Sequence, residues 1–127
     1  MPRKVILIDD DQSICDSVSL ILKEDGYEVN AYKNAPDALE KMESYKPDVI
    51  LLDFLLSGTD GLAVTKRIRT TETLKNIPIV LFSAHPTARK LFEQHTVQGF
   101  IEKPFDIVDL YDCLNKAMNG SNGNGFI

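Results

Sequence analysis

Val49-Ile50-Leu51-Leu52-Asp53 is four aliphatic residues closed by one carboxylate. A short apolar run with β-branched members, bounded by turn residues, predicts a strand buried on both faces. Lys46-Pro47 lies just before it, and a residue ahead of proline resists helix. Three further runs share the design. Val5-Ile6-Leu7-Ile8 meets Asp9, Asp10 and Asp11; Ile79-Val80-Leu81-Phe82 meets Ser83; Gly99-Phe100-Ile101 meets Glu102, Lys103 and Pro104. Tyr27 to Tyr32 predicts a more polar strand near an edge.

Helical patterns fill the gaps. Ile14, Val18, Ile21 and Leu22 repeat at helical spacing and Gly26 supplies a stop. Asn34 can cap a helix carrying Ala38, Leu39 and Met42, and Ser57 to Gly61 is turn-rich. Leu62 and Ile68 mark a third helix, and Pro86 suits the first position of a fourth, ahead of Leu91, Phe92 and His95. Asp106 can cap a last helix with Ile107, Leu110, Tyr111, Leu114 and Met118. The expectation is an α/β fold, (βα) five times, in which right-handed crossovers place helices on both faces of a five-stranded parallel sheet. That is a three-layer sandwich whose strand order the pattern leaves open.

The chain has 127 residues, enough for one core. The expected division is a globular unit over 1–119 and a flexible Gly/Asn/Ser tail over 120–127. The net charge of -5 argues against nonspecific binding to nucleic acid or an anionic membrane. No apolar run is long enough to span a bilayer, and the expected compartment is the cytoplasm. Cys15 and Cys113 lack metal-type spacing and read as small buried hydrophobes.

In an open parallel sheet, ligands bind outside the carboxyl ends of the strands. Asp9, Asp10, Asp53, Ser83 and Lys103 should therefore converge. Carboxylates about 4 Å apart repel by about 4 kcal/mol at an effective dielectric near 20, so the cluster calls for a cation. Mg²⁺ suits it, with Mn²⁺ as a substitute, because it takes oxygen ligands and shares phosphate oxygens. Asp11 is the candidate helix cap. Asp53, beside a metal, can attack phosphorus to form an acyl phosphate, while Lys103 neutralises phosphoryl charge and Ser83 donates a hydrogen bond.

Ile8-Asp9-Asp10-Asp11, Leu52-Asp53, Asp60-Gly61, Phe82-Ser83-Ala84 and Lys103-Pro104-Phe105, in this order and spacing, resemble the receiver domain of two-component response regulators over about residues 3 to 118. The resemblance implies strand order 2-1-3-4-5, the flavodoxin-like arrangement. It implies Asp53 as phosphoacceptor from phospho-histidine on a sensor histidine kinase or histidine phosphotransfer protein. It also implies Mg²⁺ on Asp10 and Asp53, on Asp9 mostly through water, and on the backbone carbonyl of Leu55. Ser83 becomes the switch hydroxyl, Phe100 the switch aromatic, Lys103 the phosphoryl partner, and Lys103-Pro104 a cis peptide. The output is an unidentified downstream protein, with a phosphorylation-dependent homodimer as one form. Beyond taking the phosphoryl group and slowly hydrolysing it, no enzyme activity is expected.

Three positions depart from the family. Ser57 replaces the usual Pro, Phe100 stands where Tyr is frequent, and the stretch from Ser83 to Phe100 is slightly short, which predicts that the fourth helix or its exit is trimmed. Leu55 and His85 lie two residues past Asp53 and Ser83 and flank the path of an attacking water. Leu55 cannot orient that water, whereas His85 can hydrogen-bond it. Two alternatives stay open. One is a small phosphatase of the haloacid-dehalogenase type with Asp9 as nucleophile, which Asp9-Asp10-Asp11-Gln12-Ser13 approaches. The other is a degenerate receiver acting as a binding module without phosphorylation.

Overall fold

The structure, a computed structural model, describes residues 2–56, 59–83, 86–94 and 96–119. The expected tail over 120–127, together with Ser57, His85 and His95, lies outside the described residues.

Five strands form one parallel sheet: β1 (Lys4–Ile8), β2 (Glu28–Tyr32), β3 (Val49–Asp53), β6 (Ile79–Ser83) and β7 (Gly99–Glu102). Their order is β2-β1-β3-β6-β7, which is 2-1-3-4-5 counted along these five, and the flavodoxin-like expectation is met. A two-residue hairpin, β4 (Leu55–Leu56) with β5 (Thr59–Asp60), occupies the segment that the sequence marked only as turn-rich.

Side-chain alternation splits the core in two. Ile6, Ile8, Ile50, Leu52, Ile79 and Leu81 face one layer, where they meet Met42 of α2 (Ala35–Tyr45), Ile68 of α3 (Gly61–Arg69) and Leu91 of α4 (Pro86–Glu93). Val5, Leu7, Val49, Leu51, Val80 and Phe82 face the other, against Val18 of α1 (Gln12–Glu24) and Leu114 of α5 (Ile107–Asn119). All five residues of β3 are buried. Slipping its register by one residue would exchange both faces at once, so Asp53 is held firmly at the strand end.

The helix starts follow local chemistry. The Asp11 carboxylate accepts from the N–H groups of Ser13 and Ile14, and Asn34 accepts from Asp37. Asp106 accepts from the Asp109 N–H at 2.9 Å. Gly26, at φ +93°, turns the chain from α1 into β2 where a side chain would be strained. Gly61 lies so near β3's exit that a Cβ there would sit 2.8 Å from the Phe54 Cα, which fixes α3 beside the acidic strand end.

Two details differ from the sequence reading. Cys113 is only half-buried, whereas Cys15 is buried. Ile107 is exposed, since α5 enters the core from Leu110 onward. α4 has eight residues. Among the described residues, no helix is long and apolar enough to cross a membrane.

Candidate metal centre

Asp9, Asp10 and Asp53 each place a carboxylate oxygen within 4.8 Å of the others. β1 and β3 are adjacent and pair Ile8 with Leu52, so the residues that follow these two emerge side by side. Asp9 is fully buried. Its N–H donates to the Tyr32 carbonyl at 3.0 Å, and its Oδ1 accepts from the Asp11 N–H at 2.8 Å. Asp11 thereby caps α1 and orients Asp9 together. Asp10 is exposed at the mouth of the cluster.

Lys103 leaves the end of β7 and reaches back to the acids. Its Nζ lies 3.5 Å from Asp53 Oδ1 and 3.6 Å from Asp9 Oδ2. Charge-assisted contacts are usually about 2.7–2.9 Å, so the amine faces the carboxylates without closing on them. Asp9 Oδ2 is buried and has no hydrogen-bond partner. An oxygen-only donor set with one buried, unsatisfied carboxylate oxygen fits a hard divalent cation such as Mg²⁺ or Mn²⁺.

The electrostatics agree with that fit. Burial pushes the Asp53 carboxyl up to about 6, the neighbouring Asp9 charge adds to the rise, and Lys103 opposes it. Asp9 is raised as well, mainly by burial, against the Asp11 N–H and Lys103. Two carboxylates that resist ionising side by side gain from added positive charge.

Ser83 closes β6 and is buried; its carbonyl accepts from the Lys103 N–H at 3.3 Å. The Lys103-Pro104 peptide is cis. Leu55 is 55% exposed beside the cluster, and its N–H approaches Asp53 Oδ1 at 3.4 Å. Phe100 lies on β7, half-buried, away from the acids. His85 lies outside the described residues.

Three arrangements escaped the sequence. The Arg89 guanidinium stacks over the Phe100 ring at 5.1 Å and pairs with Glu102 at 3.1 Å. Lys103 Nζ stands 4.7 Å from the centre of the Phe82 ring, whose neighbour Phe105 meets it edge-on. At the opposite end of the sheet, Arg69 donates to the carbonyls of Thr96 (3.0 Å) and Ile77 (2.9 Å) and to Gln98 Oε1 (2.7 Å).

Comparison with known proteins addresses the whole chain. The family profile described as response regulator receiver domain matches residues 5–115. The chain is 34% identical over 107 residues to the CAI-1 autoinducer sensor kinase/phosphatase CqsS of Vibrio cholerae, covering 82% of this chain and 16% of CqsS. It is 33% identical over 112 residues to the regulatory protein VanR of Enterococcus faecium, covering 87% of this chain and 47% of VanR. It thus spans less than half the length of either relative. The crystal structure of Vibrio cholerae chemotaxis protein CheY4 superposes with a TM-score of 0.85 at 28% identity, covering 92% of this chain and 99% of that one. A profile that runs from β1 into α5, over a chain whose fold superposes on CheY4, leaves one assignment: the chain belongs to the response regulator receiver domain family of two-component signalling.

Proposed function

We propose that this receiver takes a phosphoryl group from phospho-histidine onto Asp53, with Mg²⁺ at the acid cluster, and so switches its preference between protein partners. The observation that supports this most is the Lys103 amine, which pairs with both Asp9 and Asp53 at nearly equal distances of 3.6 and 3.5 Å. An ammonium ion held beside the acceptor carboxylate is placed to neutralise charge on a phosphoryl group attached there.

Asp9, Asp10, Asp53 and the Leu55 carbonyl would hold the ion, or Mn²⁺ in its place. When bound, the ion supplies positive charge that draws Asp53 into its ionised form and offsets charge on the phosphoryl oxygens. An Asp53 carboxylate oxygen attacks phosphorus; the new O–P bond forms as the donor's P–N bond breaks, and the donor ring, already protonated on its other nitrogen, leaves as neutral imidazole. Lys103 takes one phosphoryl oxygen as a point charge, and the Ser83 hydroxyl donates to another. Ser83 then moves toward the group, and Phe100 follows into the space it vacates. The partner-facing surface of β6, α4, β7 and α5 changes with it. Such an event shifts an equilibrium only by its different interaction with the two states. The donor is a sensor histidine kinase or histidine phosphotransfer protein.

Acetyl phosphate with Mg²⁺, followed by mapping of the modified aspartate, tests the assignment. The expected adduct is on Asp53. An adduct on Asp9 instead would revive the phosphatase alternative, and none on either would favour an unphosphorylated binding module.

Leu55 sets the lifetime of the adduct. Its exposed aliphatic side chain, beside the acceptor, covers part of the approach of water without orienting it. His85, two residues past Ser83 in the sequence, is the second tuning position. In Leu55→Asn the amide can orient a water, and loss of the phosphoryl group should accelerate several-fold, on the order of one well-placed hydrogen bond. A half-life equal to or longer than the parent's removes Leu55 from this role.

A further inference from the structure

Lys103 starts two strands away from the acid it serves. Strands lie about 4.8 Å apart, so β7 and β3 are separated by about 10 Å across β6. The lysine must lean over the end of β6 to meet Asp53 and Asp9. Beneath it there is Phe82, with the ring centre 4.7 Å from Nζ.

That ring is fixed on every side. Phe82 is completely buried and pairs in register with Asp53 on one strand and Ile101 on the other. Phe105 braces it edge-to-face, with centroids 6.0 Å apart and planes at 85°. Phe105 belongs to the same short segment as Lys103, so the lysine's own backbone and the ring beneath its amine are fastened together. The face of an aromatic ring is its negative side and attracts an ammonium ion. Both carboxylates pair with Nζ, but at 3.5 and 3.6 Å, longer than a close charge-assisted hydrogen bond, which leaves room for a further contact to fix the amine.

We infer that Phe82 is a positioning residue for Lys103: its ring face keeps the ammonium ion over the end of β6, turned to the acids, so that the amine meets phosphoryl oxygens already ordered. An aliphatic side chain at position 82 would pack the lysine's methylene stem but would not attract its charge. A flexible lysine otherwise loses much rotamer freedom on binding. The inference rests on the phosphoryl role proposed for Lys103.

The test compares the parent with Lys103→Ala, Phe82→Leu and Phe82→Met under acetyl phosphate and saturating Mg²⁺. Met fills the volume without a ring, so a Leu variant that fails to fold does not end the test. Two quantities are read: the initial rate of phosphorylation, and the proton NMR shift of the Lys103 ε-methylene, which a ring face displaces upfield. The ring-free variants should react about three- to tenfold more slowly, lose the upfield displacement, and stay faster than Lys103→Ala. If Lys103→Ala is slow but folded ring-free variants match the parent, the positioning role of Phe82 is wrong and the site stands. If Lys103→Ala itself matches the parent, the phosphoryl role of Lys103 is wrong and the inference falls with it.

Discussion

Replacing Asp10 with Asn should remove most of the rise in melting temperature expected of the parent protein in Mg²⁺. A ligand that binds only the folded state stabilises it by RT ln(1 + [L]/Kd), about 2.7 kcal/mol at a hundredfold excess over Kd. For a chain of this size that is about 10 °C. Asp10 is the exposed member of the cluster, at its open mouth, so its carboxylate can reach a cation without being pulled from the core. Asn offers one neutral oxygen in its place, and the excess that saturates the parent no longer saturates the variant. Melting each protein in chelator and in Mg²⁺ cancels any change in its own baseline. A variant that keeps the full rise would place the ion elsewhere.

The second large effect has the opposite sign. In chelator at pH 7.5, Asp53→Asn should be more stable than the parent by up to about 3 kcal/mol, from a rise of about two pKa units at about 1.4 kcal/mol each. Asp53 has its carboxyl pushed from 3.8 up to about 6, chiefly by burial. Between those values the folded protein binds more protons than the unfolded chain, so stability falls as pH rises through that window. Below about pH 4 both states are protonated at this position and the advantage of Asn disappears. Asp9 is raised too, mainly by burial, and that cost is common to parent and variant. Urea unfolding at several pH values between 4 and 7.5 reads the curve. Equal stability at pH 7.5 would mean that the buried pair carries no such cost.

Much of this was visible in the sequence because parallel strands buried on both faces leave uninterrupted apolar runs. β1, β3 and β6 have almost no exposed residue, and their closing polar residues stand out for that reason. The caps Asp11 and Asn34 were legible because a capping side chain acts on its immediate neighbours. The meeting of Asp9, Asp10 and Asp53 followed from strand ends alone. The hairpin of Leu55–Leu56 with Thr59–Asp60 was hidden by turn residues, which look alike whether or not their flanks pair. The Lys103–Phe82 and Arg89–Phe100 contacts join residues 21 and 11 positions apart, by geometry no local pattern encodes. Ile107 looked like core because helical spacing does not say where a helix first meets the sheet.

Arg69 acts far from the acids. One guanidinium binds the carbonyls of Ile77 and Thr96 and the side chain of Gln98, whose amide oxygen also accepts from the Ile79 N–H at 2.9 Å. The end of α3, the entry to β6 and the entry to β7 are thereby riveted at one pole of the molecule. Thr96 also donates its N–H to the Leu91 carbonyl of α4 at 3.0 Å, which ties the carboxyl end of α4 to that pole, while its amino end follows the exit of β6 in the chain, where Ser83 would move. A helix moored at one end answers a push at the other by swinging about the mooring. The displacement seen by a partner would then grow along α4 toward Pro86, and loosening the Arg69 rivet would blunt the lever without touching the chemistry.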